Sequence, residues 1–231
     1  MSAHQRDPHA LHIAGVENSS AIDWPGKIAT VVFLQGCAWR CGYCHSYDIR
    51  DETKPGVVAW ASVLEQLETD RSVLDAVVFT GGEPLLQPAI ITAARQVKEL
   101  GLDVGIHTCG AYPNVFTQLL PYVDWVGLDI KAPSRKYRAI TLIADDDAAP
   151  MECLRKAITA GVDVQVRTTL DPLVLDEEDV LEIQHTVSEL GVTDFVLQRV
   201  RLDGTDPEYA RALTQYRAKC AHAAADIVPL G

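Results

Sequence analysis

Six cysteines stand among the 231 residues, and three of them fall within eight positions: Cys37, Cys41 and Cys44. Three thiolates spaced in this way can converge from one tight loop onto a single metal centre. An iron–sulfur cubane has four irons to ligate. Three cysteines would leave the fourth iron open, making the cluster a binding site as well as an electron carrier. Other chemistries compete for the same residues. Structural zinc wants four protein ligands, usually as two separated pairs. Cys109, Cys153 and Cys220 offer no such pair, and adjacent Cys44 and His45 would chelate poorly. Cys41-Gly42-Tyr43-Cys44-His45 also matches the C-x-x-C-H pattern of c-type haem attachment, which requires export. A redox dithiol would leave Cys37 idle. The loop reads first as an open-iron cluster, with zinc, haem and structural cysteines as the alternatives.

Further candidates sit where predicted strands end. Gly81-Gly82-Glu83-Pro84 closes one of them. Two residues without a β-carbon let a ligand lie against the backbone, and the glutamate offers an acceptor for an ammonium group. His107-Thr108-Cys109-Gly110 closes the next. Asp129-Ile130-Lys131 follows, with Asp129 and Lys131 pointing to the same side by strand alternation. Arg167 and Gln198 stand near the ends of the last two strands, on the same rim. The competing reading of each is plain: a strand-ending turn, a surface ion pair, a structural thiol for Cys109, Cys153 and Cys220. Several such positions feeding one face favour a site.

The elements that must position them alternate. Strands are expected over residues 28–34, 76–80, 102–108, 125–130, 162–169 and 194–200, from continuous apolar runs of the kind buried on both faces. Helices are expected over 57–69, 88–100, 113–121, 150–160, 176–190 and 206–225, with Gly101, Gly161 and Gly191 as stops. Asp206 and Pro207 open the last helix as N-cap and first helical residue. Six strand–helix units imply parallel strands with right-handed crossovers. They are too few for an eight-fold barrel, which leaves an open partial barrel or a doubly wound sheet. Ligands bind at the carboxyl ends of the strands in either.

Composition narrows the function classes. Twenty Lys and Arg against 32 Asp and Glu give a net charge of −12. With no basic run, such a chain repels nucleic-acid backbones. No apolar stretch is long enough to span a membrane, and the first ten residues lack the apolar core of a secretory signal. A cytoplasmic chain is expected, where thiols stay reduced. One domain is expected over 1–231, with residues 1–10 as a flexible tail and about 28–200 as the core.

Cys37-x-x-x-Cys41-x-x-Cys44, with aromatic Tyr43 before the last cysteine, resembles the defining motif of the radical S-adenosylmethionine superfamily. The resemblance extends over residues 11–205. Asp23-Trp24-Pro25-Gly26, Phe33-Leu34-Gln35-Gly36-Cys37, Thr80-Gly81-Gly82-Glu83-Pro84 and Leu128-Asp129-Ile130-Lys131-Ala132-Pro133 look like the glycyl-radical-enzyme activases. Among these, Arg167-Thr168-Thr169 and Gln198-Arg199 are similar to the activases of anaerobic ribonucleoside-triphosphate reductase. The resemblance implies an α/β fold, an open partial (βα)6 TIM-like barrel of parallel strands, with a [4Fe-4S] cluster on Cys37, Cys41 and Cys44. It implies S-adenosylmethionine on the open iron, its amine near Gly81, Gly82 and Glu83, and its adenine at the Tyr43 backbone. Asp129 and Lys131 would lie near the cofactor, and Thr108, Arg167 and Gln198 are carried over with them. Reductive cleavage would yield a 5′-deoxyadenosyl radical that takes hydrogen from a glycine of a partner glycyl radical enzyme.

With a single cysteine-cluster motif, the chain would draw electrons from an external low-potential donor, a flavodoxin or ferredoxin. Two departures stand out. Cys44-His45-Ser46-Tyr47 replaces the usual Cys-His-Asn-Pro, and His107 stands where pyruvate formate-lyase activases carry an acidic residue. Alternatives are activation of pyruvate formate-lyase or another glycyl radical enzyme, a small-molecule enzyme such as a 7-carboxy-7-deazaguanine synthase, and a non-catalytic metalloprotein.

Overall fold

The computed structural model describes residues 7–225. Seven strands form one open sheet in chain order: β1 (Ile13–Ser20), β2 (Ala29–Leu34), β3 (Ala76–Gly81), β4 (Asp103–Thr108), β5 (Trp125–Asp129), β6 (Asp163–Leu170) and β7 (Asp194–Arg199). β2 to β7 are all parallel to their neighbours, as the alternation predicts. β7 does not pair with β1, so the barrel stays open. Seven α-helices connect and follow the strands: α1 (Trp60–Asp70), α2 (Ile90–Glu99), α3 (Pro113–Leu119), α4 (Tyr137–Thr141), α5 (Ala148–Ala160), α6 (Glu177–Glu189) and α7 (Pro207–Ala225). Among the described residues no helix is long and apolar enough to cross a membrane.

β1 and α4 have no counterpart in the sequence reading. β1 pairs antiparallel to β2, Ile13 facing Leu34 and Ser20 facing Ala29. It is an edge strand that exposes Glu17, Asn18 and Ser19, so its sequence carries neither a buried run nor clean alternation. α4 spans five residues, too short for a periodic stripe. Of the expected tail, residues 1–6 lie outside the described residues, and Pro8–Ala10 form a 3₁₀ turn.

The two faces of the sheet divide the work. Outward residues Val32, Leu34, Val77, Phe79, Val104, Ile106, Val126 and Leu128 pack under the helices in the main apolar core. Toward the carboxyl ends, the inward positions include polar Thr80, His107, Asp129 and Arg167. Low on the barrel, Ala29, Ala76, Val78, Trp24 and Trp125 form a separate apolar group, with the two tryptophan rings stacked 5.5 Å apart. The β1–β2 loop thus carries Trp24 into the barrel and closes its floor. Gly105 makes room for it, since a Cβ there would stand 2.8 Å from the Trp24 ring.

Chain reversals follow local chemistry. Gly101, Gly161 and Gly191 hold positive φ just past the ends of α2, α5 and α6. Asp206 Oδ1 accepts from the Glu208 and Tyr209 N–H groups and caps α7. At α6, Asp176 and Asp179 form a reciprocal capping box. Asp179 is fully buried and also takes Arg135 Nη2 at 2.6 Å and Lys136 Nζ at 2.5 Å. That tie fixes the segment leaving β5, the strand that ends in Asp129.

Candidate metal and cofactor site

The loop after β2 is held from three sides. The Gly36 and Cys37 N–H groups donate to the Ile49 and Arg50 carbonyls at 2.7 and 3.0 Å. The Arg40 N–H donates to the Thr141 carbonyl of α4 at 2.9 Å, and its guanidinium reaches back to the Cys37 and Trp39 carbonyls. Trp39 meets the Tyr137 ring edge-on at 5.7 Å. From the C-terminal side, Tyr209 of α7 lies so close to Gly42 that a Cβ there would stand 2.8 Å from the ring. A second apolar core of Trp39, Cys41, Tyr43, Cys109, Tyr137 and Leu213 joins these pieces.

The same loop opens onto a cavity of about 610 Å³ at the carboxyl ends of the strands. That size is ordinary for a small-molecule or cofactor site. Cys37, Cys41, Cys44 and Tyr43 line it from the loop, Gly81 and Gly82 from β3, Thr108 from β4, Asp129 and Lys131 from β5, Arg167 from β6 and Gln198 from β7. Eleven of the twelve residues expected from the sequence therefore meet in one space. Among the described residues no three His, Cys, Asp or Glu side chains gather closely enough to hold a single ion. By chemistry, three thiolates carried on one loop are a donor set that fits an iron–sulfur cluster, one thiolate to each of three irons.

Glu83 is the exception. Its side chain is fully buried behind the cavity wall. Its carboxylate accepts from Thr108 Oγ1 at 2.6 Å, from the Cys109 N–H at 2.8 Å and from the Leu85 N–H at 3.0 Å. Burial pushes its pKa up, against those hydrogen bonds. A carboxylate with three internal donors is committed to the frame, so the expectation of an acceptor facing a ligand ammonium gives way to a clamp between the ends of β3 and β4. The two glycines before it also serve the frame. A Cβ on Gly81, at φ 122°, would stand 2.3 Å from the Leu34 oxygen, and one on Gly82 would stand 2.1 Å from the Gly36 oxygen. Only glycine lets β3 end flush against the cysteine loop.

Charge concentrates on the opposite wall. Asp129 lies 3.0 Å from Arg167 Nη2 and 3.3 Å from Lys131 Nζ. Burial alone would raise the Asp129 pKa; Arg167 and Lys131 outweigh it and hold the carboxyl below the usual range. Burial would likewise lower Lys131, but Tyr43, Asp129, Cys41 and Cys109 around it push it well above the ordinary lysine value. Two cations against one carboxylate leave this wall positive. Gly127 makes the space, because a Cβ there would meet the Arg167 guanidinium and the His107 ring at 3.0 Å. His107 Nε2 lies 2.7 Å from the Asp23 carbonyl. Burial and then Arg167 pull the imidazole pKa down to about 4. It is uncharged at neutral pH.

The thiols differ among themselves. Burial pushes Cys41 up to about 11 and also raises Cys44. Cys37 is instead lowered, first by a side-chain hydrogen bond from Cys109. The Tyr43 hydroxyl is buried without a hydrogen-bond partner. Cys153 is buried, and its thiol donates to the Gly110 carbonyl at 3.4 Å; Cys220 is exposed on α7.

The cavity is also lined by Asp23, Thr80, Thr169 and Arg199, which the sequence offers as motif positions without a site role, and by Arg201, which it does not single out. Thr80 and Thr169 lie in phase with the inward residues of their strands, a signal strand alternation contains. Asp23 reaches the cavity only because Trp24 enters the barrel, which no local pattern announces. Cys109, assigned a structural role from sequence, lines the cavity beside Cys37.

The model of the Radical SAM superfamily matches residues 31–190. A Methanocaldococcus jannaschii protein with the provisional name glycyl-radical enzyme activating enzyme MJ1227 is 36% identical over 209 residues, 86% of this chain and 84% of its own. The pyruvate formate-lyase-activating enzyme of Clostridium pasteurianum is 32% identical over 173 residues, covering 72% of this chain and 71% of that one. Among solved structures, Streptococcus suis SuiB bound to precursor peptide SuiA superposes with a TM-score of 0.64 at 13% identity. That match covers 83% of this chain but only 46% of SuiB, and it speaks for the fold alone. On these matches, over a site with three convergent thiols, the chain belongs to the radical S-adenosylmethionine superfamily and, within it, to the glycyl-radical-enzyme activases, enzymes that work with a [4Fe-4S] cluster and S-adenosylmethionine on a partner glycyl radical enzyme.

Proposed function

We propose that Cys37, Cys41 and Cys44 hold three irons of the cluster, that S-adenosylmethionine occupies the cavity beside them, and that the partner is an anaerobic ribonucleoside-triphosphate reductase. One observation carries the site assignment: a single cavity of about 610 Å³ joins the three thiols to the ends of β3 through β7. When bound, the cluster and S-adenosylmethionine supply one-electron chemistry able to take hydrogen from a glycine α-carbon. The chain's own residues bind, orient and exclude water. Gly81 and Gly82 offer main chain to the methionyl amine, and the Tyr43 backbone stands by the adenine. Lys131 and Arg167, sharing only one carboxylate, favour an anionic group such as the ligand's carboxylate. Thr108 and Gln198 line the same space as further polar contacts. The Trp24–Trp125 stack seals the floor against water. Electrons come from an external low-potential donor, a flavodoxin or ferredoxin, in the cytoplasm.

The choice of partner is supported by Arg167-Thr168-Thr169, by Gln198-Arg199 and by His107, uncharged where an acidic residue would mark the formate-lyase activases. The C. pasteurianum relative favours a second reading, pyruvate formate-lyase as the target. The test uses reconstituted, reduced protein with S-adenosylmethionine, assayed for 5′-deoxyadenosine and for a glycyl radical by electron paramagnetic resonance. A radical on the reductase and none on formate-lyase is the expected result. A radical on formate-lyase alone transfers the assignment, and no cleavage by a cluster-loaded protein overturns the catalytic roles.

A further inference from the structure

Cys41 and Cys44 close one tight turn, the Cys44 N–H donating to the Cys41 carbonyl at 3.1 Å across Gly42 and Tyr43. Cys41, Tyr43 and Cys44 line the cavity. Gly42 meets Tyr209 of α7 instead: a Cβ on it would stand 2.8, 3.4 and 3.5 Å from three atoms of that ring. The ring is itself braced. Its hydroxyl donates to Asp171 Oδ1 at 2.7 Å, just past the end of β6. Asp171 is buried; the same oxygen accepts the Leu173 N–H at 3.0 Å, and its carbonyl accepts the Leu175 N–H at 2.8 Å. The approach to α7 is equally close, since a Cβ on Gly204 would stand 2.4 Å from the His45 oxygen. Beyond Tyr209, Leu213 is the one buried residue of this helix among those described, and it belongs to the core that holds Trp39, Cys41 and Tyr43. Residues 214–220 are exposed. α7 is therefore fastened at its first turns, beside the cysteine turn, and not along its length.

We propose that Tyr209 is a positioning residue for the cluster: its ring, held by Asp171, backs the turn at Gly42 and sets how Cys41 and Cys44 face a shared metal group. Groups outside the ligand set that hold the ligands in place add to metal affinity. The turn has no side chain of its own at Gly42, so its backing must come from another element. Few torsions and a hydrogen bond at the far end make the Tyr209 ring a stiff support. The inference rests on the assignment of Cys41 and Cys44 as ligands.

The experiment compares wild type, Tyr209→Ala, Tyr209→Phe, Gly42→Ala and the Gly42→Ala/Tyr209→Ala pair after anaerobic reconstitution without S-adenosylmethionine. Iron and sulfide are counted, and iron release to an excess of chelator is followed by the loss of the cluster's visible absorbance. Urea unfolding of the same proteins measures stability. Iron release about tenfold faster than wild type is expected for Tyr209→Ala and for Gly42→Ala, with Tyr209→Phe between. The pair is expected to match Tyr209→Ala, because the added methyl then has no ring to meet. Release from Tyr209→Ala at the wild-type rate overturns the proposal; lower urea stability at that unchanged rate would make Tyr209 a packing residue for α7 alone. Effects that add in the pair also overturn it, since Gly42 would then act through something other than the ring. A Tyr209→Phe variant that matches wild type overturns the brace by Asp171, and with it the proposal as stated. If Tyr209→Ala does not fold, Tyr209→Phe and Gly42→Ala carry the comparison: faster release from both supports the proposal, and wild-type release from either overturns it. A wild type that assembles no cluster removes this inference and the ligand assignment together.

Discussion

Two halves of one parallel sheet behave differently. From β2 to β5 the strands are buried on both faces, outward residues under helices and inward residues against the Trp24–Trp125 floor. At β7 the same fold leaves Asp194, Leu197 and Arg199 exposed, and β6 begins exposed at Asp163. The difference comes from neighbours: β2 to β5 are flanked on each side, whereas β7 pairs with β6 alone. A strand with one neighbour buries less and is looser. The packed half carries the cysteine loop, the Gly81–Glu83 corner and Cys109, linked by main-chain hydrogen bonds from the corner to the loop and by the Cys109 N–H on the Glu83 carboxylate. The looser half contributes Thr169, Gln198 and Arg199 to the rim. A site split in this way holds its metal side rigidly and leaves an open edge, which under the proposed function is where a glycine-bearing segment enters.

The comparison can be broken most sharply at the cysteine loop. Cys41→Ala is expected to abolish iron binding and S-adenosylmethionine cleavage, while circular dichroism stays that of the wild type, because the main apolar core does not include this loop. An unfolded variant would show that the packed half depends on the metal. Next comes Glu83→Ala, which strands the Thr108 hydroxyl and the Cys109 and Leu85 N–H groups in a buried site. A loss of about 3 kcal/mol is expected in urea unfolding. A loss under about 1 kcal/mol would mean the clamp is not structural.

His107 sharpens the same contrast through pH. Its folded pKa of about 4 lies below the ordinary value of 6.5. The unfolded chain therefore binds the proton first, and the stability held above pH 6.5 is lost as pH falls toward 4. Between pH 7 and 5 the wild type should lose about 2 kcal/mol more than His107→Gln, measured by urea unfolding at each pH. Parallel pH profiles would sink this account. The smallest effect is expected on the open side. Gln198 has one long contact, from Thr169 Oγ1 at 3.4 Å, so Gln198→Ala should change stability by less than about 0.5 kcal/mol. A larger loss would show that β7 is packed after all.

Most of the fold was legible because its signals are local. Buried parallel strands write continuous apolar runs, as in residues 29–34 and 76–81, and helices stop at Gly101, Gly161 and Gly191, where only glycine adopts the left-handed turn without strain. β1 escaped because a strand at an edge needs no apolar pattern, and α4 because five residues hold no period. Within the site, strand alternation placed Asp129 and Lys131 together, and the rule of carboxyl ends gathered Arg167 and Gln198. Glu83 marks where local reading stops: a glutamate after two glycines looks free to face a ligand, and only the approach of β4 brings Thr108 and Cys109, with Leu85, onto its buried carboxylate.

The sequence by itself determined the cysteine spacing, the order of strands and helices, and the rim on which the polar residues fall, since each follows from residues near one another in the chain. The tertiary structure decided which groups are spent and which are free. Trp24 enters the barrel and closes its floor, Glu83 turns inward, and Cys109 comes to line the same cavity as Cys37, seventy-two positions away. Those outcomes depend on how closely three strand ends and a loop approach, and approach is set by packing of the whole sheet.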